Sequence, residues 1–180
     1  MKTTWKVVLL LSLVSVVYAA DDVVTAVRGT VDKVDAAGKT VVVKTADGTK
    51  YSLRLVETTT VHGADASASG AKDSWHGIEK GSEVVVHYSK RGAEETAVEI
   101  DRIGKDGLQA TKGTVKAMDR GGKKIVVVTE NGTEETFHLT GHATTDAGKD
   151  IAHGAEKGSK VVIYSSEDAG KRVAHFFEKI

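Results

Sequence analysis

Short runs of apolar, mostly β-branched residues recur along the chain, and turn-forming residues separate them at close spacing. Tyr51, Leu53 and Leu55 alternate with polar residues, which is the period of two that a half-buried strand shows. Several short strands with regular turn signals are typical of an all-β sandwich or barrel. The pattern predicts strands at 23–34, 40–45, 49–56, 83–89, 96–103, 108–119, 124–129, 133–140, 160–166 and 171–180.

Two tight turns indicate how these strands are connected. Asp47-Gly48 and Asn131-Gly132 each stand between two predicted strands, and a two-residue hairpin turn needs residues that tolerate positive φ. Each set of strands is then a three-stranded meander, one long connection (57–81 or 141–158) and a final hairpin. This order predicts two tandem five-stranded small barrels with at most one short helix per repeat. An OB-like barrel fits best, and an SH3-like barrel or an open sandwich is the alternative.

The chain contains an internal repeat. Residues 29–61 have 13 identities in 33 positions with the residues 84 positions later, and residues 72–103 have 13 in 32 at a shift of 77. The difference of seven residues falls between Val61 and Lys72, so that segment is a loop. The linker at 104–107 is short, and we therefore expect the two copies to pack against each other.

The first twenty residues differ from the rest. Two lysines precede an apolar run from Val7 to Val17, and small residues follow before an acidic pair. This order is typical of a signal peptide cleaved after Ala19, and the run is too short for the roughly 20 residues of a membrane-spanning helix. We expect a signal peptide at 1–19, barrels at 20–103 and 108–180, and a periplasmic or secreted mature protein without a membrane span.

Composition narrows the classes of function. The chain has no cysteine, which excludes disulfides, thiol catalysis and Cys-ligated zinc. Without the two lysines of the signal peptide, 23 Lys and Arg stand against 25 Asp and Glu. Nucleic-acid binding requires a basic surface, so nucleic acid is not an expected partner.

Several motifs occur in both copies: G-T-V, D-x-x-G-K, a V-V-V strand, D/N-G-T and G-x-E-K-G-S-x-V-V. Together they resemble the exported small-β-barrel domains of bacteria whose function is unknown. The resemblance covers nearly all of the mature chain, twice, and implies the barrel fold and a location in the cell envelope. It implies no functional residues, because the motifs are turns and strand cores.

The most specific polar feature is a repeated Lys-Asp-x-x-His-Gly segment in the long connections. A further His and a further Asp precede this segment in each copy. Imidazole together with carboxylate suits Zn²⁺, Ni²⁺ or Cu²⁺. The predicted metal ligands are His62, Asp65, Asp73, His76, His142, Asp146, Asp150 and His153.

A structural role for the same segment is the interpretation that we favour. Its Asp caps the N–H groups of a turn, and its His, just before Gly, closes the turn. For catalysis, Ser74 lies between Asp73 and His76, but Ile151 replaces it in the second copy. The sequence therefore favours a non-enzymatic exported binding or structural module whose partner is an envelope protein or a small ligand. The alternative is a periplasmic divalent-metal-binding protein that uses the loop His and Asp residues.

Overall fold

The computed structural model describes residues 23–63, 74–119, 121, 123–139 and 156–180. Within these ranges no helix has the length and the apolar character to cross a membrane. The predicted signal peptide at 1–19 lies outside the described residues. So do six of the eight predicted metal ligands, namely Asp65, Asp73, His142, Asp146, Asp150 and His153.

The first copy is a barrel with a small additional hairpin. Its strands are β1 Val23–Asp35, β2 Thr40–Lys44, β3 Lys50–Arg54, β4 Thr60–His62, β5 Ser74–Trp75, β6 Ile78–Glu79, β7 Glu83–Arg91 and β8 Glu94–Arg102. Strand β1 pairs antiparallel with β2 and β7, and β7 pairs antiparallel with β8. A parallel contact between β3 and β8 closes the barrel, and β4 pairs with β8 further along.

The second copy repeats this barrel. Its strands are β9 Gln109–Asp119, β10 Lys124–Thr129, β11 Glu134–Leu139, β12 Lys160–Asp168 and β13 Lys171–Lys179. They close in the order β10-β11-β13-β12-β9, which corresponds to β2-β3-β8-β7-β1 of the first copy. The predicted all-β class with two tandem five-stranded barrels is confirmed, and closure excludes the open sandwich. All ten predicted strands occur with ends that agree to within two residues.

The long connection of the first copy contains a short hairpin, whereas the sequence allowed one short helix there. Strands β5 and β6 form a hairpin whose turn is His76-Gly77, with φ of 46° and 86°. Positive φ at two successive residues is the geometry of a two-residue hairpin turn. No helical turn is therefore formed at His76.

Each barrel has its own apolar core. Alternation along the strands sends every second side chain into the barrel interior, where burial of a large aliphatic or aromatic residue contributes about 1.5–3 kcal/mol. The largest fully buried side chains include Leu53, Leu55, Ile78 and Ile100 in the first copy and Ile125, Phe137 and Ile163 in the second.

A third apolar cluster joins the two barrels at an interface that we call the seam. Val85 of β7 packs there with Val162 and Tyr164 of β12 and with Leu108. The linker is a tight turn, because Leu108 donates its N–H to Arg102 O at 2.7 Å and Gly107 donates to Gly104 O. The short linker thus holds the two copies together as the sequence predicts.

An ion pair between β1 and β13 crosses the seam beside this cluster. Arg28 of β1 lies with its Nε 3.0 Å from Glu178 Oε2 of β13 and with its guanidinium over the ring of Tyr164. Burial raises the pKa of Tyr164 to about 12, so the hydroxyl stays protonated and donates to Glu178 Oε2 at 3.1 Å.

The repeated G-T-V motif has a steric cause. Gly29 and Gly113 occupy equivalent positions in β1 and β9, where the neighbouring strand crosses closely. A Cβ at Gly29 would lie 2.5 Å from Lys44 O, and a Cβ at Gly113 would lie 2.5 Å from Val128 O. Because backbone atoms cannot move aside cheaply, only glycine fits at either position.

We predict that Gly29→Ala and Gly113→Ala each lower the free energy of unfolding by about 1–3 kcal/mol, the usual cost of inserting a methyl group into packed structure. Chemical denaturation followed by circular dichroism measures this change.

The matched control is Gly121→Ala, since a Cβ there meets only Asp119 Oδ1 at an ordinary 3.6 Å. Its stability should remain within about 0.5 kcal/mol of the wild type. Equal losses in all three variants would contradict the steric explanation.

Candidate functional site

Three ionisable side chains of the first copy meet beside the seam. Glu99 and Asp101 stand two residues apart on β8 and therefore share its outer face, while Ile100 points into the core. Strand β4 pairs with β8 so that His62 lies opposite Asp101. As a result, His62 Nδ1 lies 3.0 Å from Glu99 Oε1 and 3.1 Å from Asp101 Oδ1.

These three side chains differ widely in exposure. The side chain of Asp101 is 0% exposed, that of Glu99 is 13% exposed and that of His62 is 56% exposed. Asp101 Oδ2 has no hydrogen-bond partner among the described residues. A buried carboxylate oxygen without a hydrogen bond is costly unless a nearby positive charge compensates it.

The second copy contributes a histidine to the same place. His175 of β13 is nearly buried, and its Nδ1 lies 3.5 Å from Asp101 Oδ2 and 3.7 Å from Glu99 Oε1. Its other ring nitrogen, Nε2, lies 2.9 Å from Ser166 Oγ on the neighbouring strand. His87 of β7 is fully buried, and its Nε2 lies 3.8 Å from Asp101 Oδ2. We call His62, Glu99, Asp101 and His175 the seam cluster.

A cavity of about 320 Å³ opens beside the seam cluster. His62, Asp101 and His175 line it together with Ser166, and Arg102, Asp106 and Asp168 stand on its wall. The cavity contains room for several water molecules, each of which occupies about 30 Å³ in the liquid. The cavity therefore brings solvent to the edge of the cluster, although the carboxylate of Asp101 itself is fully covered.

The charges in the cluster shift two pKa values in opposite directions. Contact with the His175 ring lowers the pKa of Glu99 to about 2, although partial burial opposes this shift. For His175, burial lowers the pKa, but the contacts with Asp101 and Glu99 outweigh it and raise the pKa to about 9. At neutral pH the cluster therefore contains a carboxylate at Glu99 and an imidazolium at His175.

Ser166, His175 and Asp101 follow one another in the atom order of a serine-hydrolase triad. A general base must accept the serine proton, so its imidazole has to be neutral in the resting state. With a pKa of about 9, His175 is protonated near neutrality and donates from Nε2 to Ser166 Oγ. The direction of this hydrogen bond is opposite to the one that activates a serine.

The structure describes two of the eight predicted metal ligands, and it separates them. His62 belongs to the seam cluster. His76 is exposed at the tip of the β5–β6 hairpin, where its ring contacts Trp75 edge to face. Among the described residues, the one group of His and acidic side chains with metal-ligand spacing is His62, Glu99 and Asp101, without His76.

Sequence reasoning missed Glu99, Asp101 and His175, because all three lie in strands whose pattern is explained by packing. A signal was present in the repeat, however. At a shift of 77, Glu99 corresponds to Phe176, and Val98 corresponds to His175. The position of Glu99 thus carries a carboxylate in one copy and an aromatic ring in the other, whereas Asp101 corresponds to Glu178 and is acidic in both copies.

The chain matches no model of a known protein family, and no curated protein matches it. Its resemblance to exported bacterial barrel domains therefore rests on the sequence motifs and agrees with the tandem barrels at the level of architecture. The functional interpretation rests on the geometry of the seam cluster.

The two pKa shifts predict how stability depends on pH in the presence of a chelator. The contribution of His175 is complete below its ordinary pKa of 6.5 and is lost as the pH rises through about 9. The contribution of Glu99 is complete above its ordinary pKa of 4.5 and is lost as the pH falls through about 2. The free energy of unfolding should therefore be highest between about pH 4.5 and 6.5 and fall towards pH 9, as measured by urea denaturation.

In His175→Gln the fall between pH 6.5 and 9 should disappear, because Gln binds no proton in either the folded or the unfolded state. His76→Gln serves as the control and should keep the wild-type profile. An identical alkaline slope in His175→Gln would show that this histidine does not hold its proton as described.

Proposed function

We propose that the protein binds a divalent transition-metal ion at the seam cluster. The observation that carries this proposal is the spacing of donor atoms around His62, Glu99 and Asp101. In a tetrahedral site with metal–ligand bonds of 2.0–2.1 Å, two donor atoms stand about 3.3 Å apart. The distances from His62 Nδ1 to Glu99 Oε1 and Asp101 Oδ1, 3.0 and 3.1 Å, are close to this edge.

The cost of burying Asp101 supports a functional role. A buried carboxylate oxygen without a hydrogen bond is costly, and the imidazolium of His175 at 3.5 Å compensates the charge at Asp101 Oδ2 only in part, because Glu99 lies near the same ring nitrogen. The repeat provides an internal control, since the second copy packs at the same seam with Phe176 and Tyr164 in place of Glu99 and His87. The barrel thus does not need Glu99 or His87 on this face, whereas Glu178 keeps a carboxylate at the position of Asp101.

The donor set suits a limited range of ions. Imidazole nitrogen with carboxylate oxygen favours Zn²⁺, Ni²⁺ and Cu²⁺, and the chain offers no thiolate to compete for a softer ion. The half-exposed His62 and the adjacent cavity provide an entry path to the buried carboxylates. Such a site is suited to a metal that exchanges with the surroundings.

This proposal names a ligand class, a divalent metal ion, for the binding module that the sequence predicts. We place it in an exported, non-enzymatic protein of the cell envelope with OB-type barrels, which the strand order in each copy supports. The proposed ligands differ from those predicted from the loops, since two of the three lie on β8 and only His62 is common to both sets.

We predict that calorimetric titration of the mature protein with Zn²⁺, Ni²⁺ and Cu²⁺ shows binding of one ion per chain for at least one of these metals. Asp101→Asn and His62→Gln should each weaken the affinity by more than about 10-fold, because a metal site loses at least this much when a neighbouring group is removed. Asn retains the shape of Asp, so thermal melting checks that this variant is folded.

His76→Gln, His142→Gln and His153→Gln are the controls that separate the two possible sites. The seam site predicts wild-type affinity in all three, whereas a site in the loops predicts a loss. No binding of any of the three ions, or full affinity in Asp101→Asn, would refute the proposal.

A further inference from the structure

We infer that a metal ion bound to His62, Glu99 and Asp101 keeps one coordination position for a ligand from outside the chain, and that this ligand is a small molecule with a neutral nitrogen donor, such as an imidazole. The inference rests on the proposed function. It adds that the ion and the small molecule are held together in the cavity between the two copies.

The number of protein donors leaves a position for an outside ligand. The group with metal-ligand spacing consists of three side chains, His62, Glu99 and Asp101. His175 does not extend it, because its Nδ1 faces Asp101 Oδ2 at 3.5 Å, whereas His62 Nδ1 faces Oδ1 at 3.1 Å. Structural zinc sites have four protein ligands, and zinc sites with three protein ligands hold a water molecule or a substrate in the fourth position. The proposed site is therefore of the second kind.

The cavity lies where an outside ligand would approach. His62 and Asp101 line it from the first copy, and Ser166, Asp168 and Val173 line it from the second. Because the side chain of His62 is 56% exposed, it borders both the proposed ion and open space. The volume of about 320 Å³ is at the lower end of the range of about 300–1,000 Å³ for small-molecule sites. This volume fits a small heterocycle or amine and is too small for a large cofactor.

Charge selects the class of ligand. The two carboxylate ligands offset both positive charges of a bound divalent ion. The cavity wall adds two further carboxylates, Asp106 and Asp168, against two cationic side chains, Arg102 and His175. The loaded site therefore has no positive excess even with His175 protonated, and an anionic ligand would bring an uncompensated negative charge. A neutral nitrogen donor brings none, and imidazole nitrogen suits the same ions as the donors of the protein.

Calorimetric titration of imidazole into the metal-loaded full chain tests the inference, with whichever of Zn²⁺, Ni²⁺ and Cu²⁺ the chain binds. At about pH 8, free imidazole is neutral because its pKa is about 6.5. One imidazole should bind per chain, and none should bind to the metal-free chain. Azide is the anionic probe, and the preference for imidazole over azide should exceed that of the same ion in buffer by about 5-fold or more. Equilibrium dialysis checks that the ion stays with the protein.

Two variants test the cavity and its charge separately. Val173 is not a proposed metal ligand, so Val173→Phe should leave the metal affinity unchanged and, by narrowing the cavity, weaken imidazole binding by about 5-fold or more. The double variant Asp106→Asn, Asp168→Asn should strengthen azide binding by about 5-fold or more and leave imidazole binding within about 2-fold.

The matched control is Asp47→Asn. It removes the same charge from a turn outside the cavity, and the second copy carries Asn131 at the equivalent position. This variant should bind both probes as the wild type does. Thermal melting checks that each variant is folded.

The outcomes separate the two proposals. If the loaded wild type does not bind imidazole, or releases its ion to imidazole, the inference is overturned and the proposed function stands. Wild-type imidazole affinity in a folded Val173→Phe would overturn the place of the ligand in the cavity. Unchanged azide binding in the double variant would overturn the selection by charge. Absence of binding of all three ions to the wild type would overturn both proposals.

Discussion

The packing of the two barrels against each other determines the character of the functional site. An outer face of a small barrel is normally in water, where a Glu or an Asp costs nothing. Here the short linker holds the second copy over the outer face of β7 and β8, and Val85 and Leu108 exclude water from the middle of the contact. Any charge on that face is therefore desolvated. Asp101 is fully buried for this reason, although it lies outside the core of its own barrel.

The sequence predicts the barrels well because their signals are local. Alternation of apolar residues and hairpin turns such as Asp47-Gly48 depend only on neighbours along the chain, and the repeat tests each assignment twice. The seam cluster depends instead on contacts between distant segments. His62 meets Asp101 through a parallel pairing of β4 with β8, and His175 reaches them from the other copy. No spacing in the sequence encodes those two contacts.

Divergence between the copies separates what the fold needs from what it does not. Gly29 and Gly113 are identical because a neighbouring strand leaves no room for a side chain at either position. On the outer faces no such constraint acts, and Glu99 and Phe176 occupy equivalent positions with opposite chemistry. Glu99 and His175 are thus positions at which the copies differ, while Asp101 is acidic in both copies because Glu178 is its equivalent. The polar motif that the copies share contains His76, which is a turn residue.

The charges of the seam cluster favour a divalent cation over the single positive charge that the His175 imidazolium provides. Glu99 and Asp101 bring two negative charges when ionised, and the raised pKa of His175 shows that they retain a proton on its ring. One imidazolium offsets only one of them, and the cavity wall adds Asp106 and Asp168 against Arg102. A divalent ion bound to His62, Glu99 and Asp101, as proposed, would neutralise the carboxylate pair in full. At the proposed site, a proton on His175 and a metal ion would therefore compete for the same two carboxylates.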